Sequence, residues 1–142
     1  MTLSYFMKKN KAVKENVKYV ATKSLKDENG NPLEWEIKHL STKENEKLRN
    51  ECTTEVFAKD KSGLIYPKFE TNKYLAKLAT ASVVFPDLLN AELQDSYGVK
   101  TPEDLLMEIV DNPGEYTDFV TYIQELSGFD ETLEEKIDTA KN

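Results

Sequence analysis

The sequence predicts an α+β fold: a small antiparallel β-sheet, opened by an N-terminal hairpin, packed on a C-terminal bundle of four or five helices. Three observations lead there. Residues 17–40 alternate with the period of two that pleated strands require, around an Asn29-Gly30 turn. From Asn72 onward, apolar residues recur at helical spacing. Between the two lies Ser41-Thr42-Lys43-Glu44, a serine followed three residues on by glutamate, which is the pattern of a helix capping box. A chain of 142 residues is one domain's worth and long enough to bury a core without disulfide staples. The expected organisation is an N-terminal arm over residues 1–16 and a single domain over 17–142. That domain divides into a hairpin region, 17–70, and an acidic helical region, 71–142.

In the arm, Leu3, Phe6 and Met7 fall at i, i+3 and i+4, so one helical turn would carry an apolar stripe. In the hairpin, Val17, Tyr19 and Ala21 form one alternating set and Leu33, Trp35 and Ile37 the other. An isolated hairpin is marginal, so the Leu33/Trp35/Ile37 face must be covered by a helix or another subunit. The helix opened at Ser41 is expected to run to about Glu55 on a thin stripe of Leu48, Cys52 and Val56. A second hairpin is expected over 56–70, turning at Asp60-Lys61-Ser62-Gly63, with Pro67 restricting its second run to an edge or a loop. Tyr74, Leu75, Leu78, Ala79 and Ser82 then share a helix face ended by Pro86, and Leu89 and Leu93 mark a short helix closed at Tyr97-Gly98. Thr101-Pro102-Glu103-Asp104 is a strong helix start, with a capping threonine, proline at the first position and acids at the positive end of the dipole. After the break at Asn112-Pro113-Gly114, Tyr116, Phe119, Val120, Ile123 and Leu126 make the cleanest amphipathic stripe, and Leu133, Ile137 and Ala140 a last, narrow one.

Charge is unevenly spread. Residues 1–69 hold 14 Lys or Arg against 10 Asp or Glu, and residues 70–142 hold 5 against 16, giving +4 and −11 within a net charge of −7. The acidic half is either a solvated surface or a docking face for a basic partner. Binding of nucleic acid by that half is not expected, because phosphates would be repelled. No apolar run reaches the roughly 18 residues of a membrane span. The N-terminus is ordered wrongly for a signal peptide, its charge following the apolar patch. With one cysteine there is no internal disulfide, and a reducing cytoplasm is the default expectation.

No motif carries chemistry. Asp27-x-Asn29-x-Asn31 starts like a calcium loop but has Pro32 where glycine is needed and Lys38 where a bidentate glutamate is needed. His39 is the single histidine and Cys52 the single cysteine, so the usual transition-metal sites are not expected. His39 reads as a partly buried structural residue, and Cys52 as a small hydrophobe on a helix stripe. Nucleophile elbow, Walker loop and dinucleotide fingerprint are all missing, and nothing places one of the many carboxyls in an apolar pocket. No catalytic residue, metal or cofactor is therefore expected. Two stretches are more apolar than their place requires: the arm, with Leu3, Tyr5 and Phe6, and Val83–Leu89, from which Val84, Phe85 and Leu88 are the candidate partner-binding residues.

Several stretches, in order, resemble the phage XkdN-like tail assembly chaperone family. They are Gly30-Asn31-Pro32-Leu33-Glu34-Trp35-Glu36-Ile37; Tyr74-Leu75-Ala76-Lys77-Leu78 leading to Val83-Val84-Phe85-Pro86-Asp87; Glu92-Leu93-Gln94-Asp95-Ser96-Tyr97-Gly98-Val99; Pro113-Gly114-Glu115-Tyr116; Leu126-Ser127-Gly128-Phe129; and Ala140-Lys141-Asn142. The resemblance implies a non-catalytic protein of the host bacterial cytoplasm that holds the tape measure protein while the tail tube polymerises. Other tail proteins and further copies of the chain are additional partners it leaves open. The alternative from a different class is an acidic adaptor or inhibitor domain that binds a folded basic protein one to one.

Overall fold

The computed structural model describes residues 2–60 and 62–129. Strand β1 (Val17–Tyr19) pairs antiparallel with β2 (Trp35–Ile37), Val17 facing Ile37 and Tyr19 facing Trp35. Helix α1 (Thr42–Glu51), a hairpin of β3 (Thr53–Phe57) and β4 (Ile65–Phe69), and helix α2 (Thr71–Ser82) follow. Strand β5 (Val83–Phe85) leads directly out of α2 and adds to the free side of β2, giving a three-stranded sheet in the order β1-β2-β5. Helices α3 (Ala91–Ser96), α4 (Pro102–Ile109) and α5 (Pro113–Leu126) complete an α+β domain.

Helix starts are fixed by local chemistry. Ser41 Oγ accepts from the Glu44 amide at 3.2 Å and Glu44 Oε1 accepts from the Ser41 amide at 3.1 Å, the reciprocal capping box. Asn90, Thr101 and Asn112 cap α3, α4 and α5 by accepting from the amide three residues on. Proline occupies the first turn of both α4 and α5, where no donor is missed.

The β1/β2 face is covered by α5. Trp35 meets the Phe119 ring edge-on at 5.8 Å, and Tyr19 stacks on Tyr122 at 4.2 Å between centroids. Helix α2 packs against α1, α4 and α5, burying Tyr74, Leu75, Leu78 and Ala79. The loop after β1 is pinned to the start of α5: buried Thr22 donates to Glu115 Oε1 at 2.8 Å, and the Lys23 amide donates to Oε2 at 2.9 Å.

Several expectations are corrected. Strands β1 and β2 have three residues each, and Leu33 lies outside the buried Trp35/Ile37 set. Between them the chain folds on itself, with Asp27 Oδ1 accepting from the Asn29 and Asn31 amides and Gly30 at φ 83°. The second hairpin forms its own two-stranded sheet; the sheet that the N-terminal strands build is completed instead by Val83–Phe85, expected only as a connector. Helix α1 ends at Glu51, because Thr53–Phe57 pairs with β4, so Val56 is a strand residue. Leu89 precedes α3 and is exposed. The expected stripe of Leu133, Ile137 and Ala140 lies outside the described residues.

Candidate functional site

The described residues offer little for covalent or metal chemistry. Cys52 caps the end of α1 and is fully buried, and burial pushes its thiol up, which disfavours the nucleophilic thiolate. His39 is half-buried with Nδ1 at 3.3 Å from the Leu126 carbonyl, a structural tie between the end of β2 and the end of α5. Among the described residues, no group of three or more His, Cys, Asp or Glu side chains is placed to hold a metal ion.

What the fold does present is apolar surface in three places. The arm makes two 3₁₀ turns, Leu3–Phe6 and Lys8–Asn10, with no buried residue in either. Its hydrogen bonds among the described residues close within it; Asn10 Nδ2, for instance, donates to the Ser4 carbonyl at 2.6 Å. Leu3, Tyr5 and Phe6 are all exposed, Phe6 at 74 %. The second place is β5, an edge strand whose outer side carries no partner among the described residues. Phe85 is 64 % exposed and Val84 is exposed beside it, while Leu88 is only 4 % exposed and belongs to the core. Beneath Phe85, across a cis Phe85–Pro86 bond, a cavity of about 170 Å³ is lined by Leu25, Leu33, Trp35, Pro86, Leu93 and Tyr97.

The third place went unmarked as a site in the sequence. The β3–β4 hairpin leaves Phe57, Leu64, Ile65 and Tyr66 exposed. Its base is held by the Glu70 amide donating to the Cys52 carbonyl at 2.8 Å, and by Phe69 between Arg49 and Tyr74. Alternation in 53–69 could have revealed these residues, had both faces of a two-stranded sheet been counted. Arm, β5 and hairpin each stand out from a body whose charge is strongly acidic. Between Thr101 and Phe129 there are seven acidic residues and no Lys, Arg or His.

Comparison with known proteins gives the family. Residues 3–141 match the sequence profile described as phage XkdN-like tail assembly chaperone protein, and the chain belongs to that family. It is similar to the phage-like element PBSX protein XkdN of Bacillus subtilis strain 168, with 26 % identity over 140 residues, 99 % of this chain and 93 % of that protein. It is equally similar, at 26 % identity and the same coverage, to the uncharacterized protein YqbN of the same strain. The crystal structure of YqbN shares the fold, with a TM-score of 0.77 and 24 % identity over 92 % of this chain and 98 % of that one.

Proposed function

We infer that the chain is a non-catalytic assembly factor that binds the tape measure protein in the cytoplasm of the host bacterium during tail morphogenesis. The observation that carries this reading is the set of large apolar side chains left on the surface of a tail assembly chaperone, Leu3, Tyr5 and Phe6 on the arm and Val84 and Phe85 on the edge strand. Exposed aromatic and aliphatic side chains on a small charged body are suited to covering apolar segments of a second chain. The arm, residues 1–16, acts as an appendage of the single domain, residues 17–142. An exposed edge strand also offers a route for copies to assemble along a long client by strand addition.

Co-expression is the test. The tape measure protein encoded in the same tail gene cluster should stay soluble with the full chain and precipitate without it. Deleting residues 1–11, or changing Phe85→Ser, should lower recovery of the complex while leaving the fold intact. A tape measure protein equally soluble with and without this chain would overturn the reading. A one-to-one complex with a folded basic protein instead would favour the adaptor class.

A further inference from the structure

The β3–β4 hairpin is a two-stranded sheet that no third strand completes among the described residues, and a sheet of two strands is marginal alone. Hydrogen bonds at its two ends fix which way its backbone groups point. The Ala58 amide donates to the Leu64 carbonyl at 2.9 Å, and the Glu70 amide donates to the Cys52 carbonyl at 2.8 Å. Bonded and non-bonded pairs alternate in an antiparallel ladder. Between those ends Val56–Tyr66 and Thr54–Lys68 are therefore the bonded pairs, while Phe57–Ile65, Glu55–Pro67 and Thr53–Phe69 turn their backbone groups outward. On the β4 edge the central outward residue is Pro67, which has no N–H to offer. On the β3 edge it is Glu55, followed by Phe57, and neither backbone bonds to another element among the described residues. One edge of the hairpin is closed by proline and the other is open.

We propose that β3 pairs antiparallel with β3 of a second copy about a two-fold axis at Val56, joining two hairpins into one sheet. The side chains of β3 select this partner and this register. Centred on Glu55, the strands would set two Glu55 carboxylates directly opposite each other, where they repel. Centred on Val56, each Glu55 faces the second copy's Phe57 and exchanges both backbone hydrogen bonds with it. Each Glu55 then also lies diagonal to the second copy's Lys59, an opposite charge within reach of two long side chains. The apolar side chains that one chain leaves exposed gain neighbours on both faces. One face carries the row Tyr66-Val56-Val56-Tyr66 across the joined strands. On the other, Phe57, 74 % exposed in the single chain, and Ile65 lie beside Glu55 and Pro67 of the second copy. A contact that uses the same patch on both copies closes at two. The pairing goes beyond client binding and uses neither the arm nor β5.

Sedimentation equilibrium of the full chain should show a two-copy particle in concentration-dependent exchange with the single chain. Val56→Cys, treated with a mild oxidant, should give a disulfide-linked pair, because that residue meets itself across the axis. Glu55→Cys should not, and the natural chain, whose Cys52 is buried, serves as the control. Glu55→Pro removes an outward N–H that the hairpin itself leaves unused, so it should abolish the pair and keep the cooperative melt. Charge exchange gives a second measure on an exposed surface. Glu55→Lys and Lys59→Glu should each weaken the pair about tenfold, since each contact occurs twice, and the double variant should restore it. A single-chain mass at every concentration would overturn the proposal. So would a disulfide formed by Glu55→Cys in place of Val56→Cys, a Glu55→Pro chain that still pairs, or a double variant no tighter than the singles. These results are separate from the co-expression test. A chain that stays single and yet keeps the tape measure protein soluble refutes the pairing and leaves the client reading standing. A chain that pairs and leaves that protein insoluble does the reverse.

Discussion

Trp35 closes the joint between sheet and helices: it is buried, edge-on to Phe119, and beside Ile37, which is equally buried. Truncation to alanine leaves a cavity that rigid neighbours on β2 and α5 cannot fill, so Trp35→Ala should cost about 3–5 kcal/mol in urea melts. A loss under about 1 kcal/mol would mean that this face is open to solvent. Glu44 carries a second, pH-dependent contribution. The Lys38 ammonium, 2.6 Å from its carboxylate, and the Ser41 amide hold its carboxyl below the ordinary value of 4.5. The ionised form is therefore favoured by folding. Its contribution is complete above that ordinary value and is lost as pH falls through the lower folded-state value. Both side chains are well exposed, which keeps the effect small. Glu44→Gln should be less stable than the natural chain at neutral pH, and the gap should narrow on acidification. A gap that stays constant from pH 7 to pH 3 would contradict this assignment.

Helix starts were the most legible features because each is written in a few adjacent residues. Ser41/Glu44 and Thr101/Pro102 both named their caps correctly. Asn112-Pro113 was read as a break, although it also caps α5. Thr101→Ala and Asn112→Ala should each cost about 1 kcal/mol, read as shifts of the urea midpoint, with the two losses additive if the caps are independent. Strand pairing was less legible, because pairing depends on what the chain brings back from far away. Val83-Val84-Phe85 has no alternation long enough to announce a strand. It becomes one because α2 delivers it beside Ile37, where the Lys38 amide also donates to the Ser82 carbonyl at 2.9 Å. Of the candidate residues there, Val84 and Phe85 remain exposed, while Leu88, two residues past Pro86, turns into the core. Composition alone cannot distinguish them; only the turn between strand and helix does. The second hairpin was expected as an element, but its apolar side chains were not marked as surface, because nothing local in 56–70 tells whether another element will cover them; Phe57, Leu64, Ile65 and Tyr66 stay exposed.

The domain divides neither at the charge boundary nor where the helices begin. The three-stranded sheet takes strands from both sides of residue 70, and the core joins Ala21, Trp35 and Ile37 to Leu105, Phe119 and Ile123. A fragment beginning at residue 71 would lack the surface that covers Phe119 and should show no cooperative melt. Removal of residues 1–11, by contrast, should change stability by less than about 0.5 kcal/mol by calorimetry, since no residue of the two 3₁₀ turns is buried. The acidic imbalance was plain from the sequence, because it is a count of side chains and needs no fold. The distance in sequence between Trp35 and Phe119 also sets a timetable. At roughly 5–20 residues added per second, the ribosome releases the tryptophan on the order of ten seconds before the phenylalanine that covers it. Through that interval the nascent chain displays an unfinished sheet. A member of a tail assembly chaperone family therefore spends the first moments of its own synthesis with its largest core side chain uncovered.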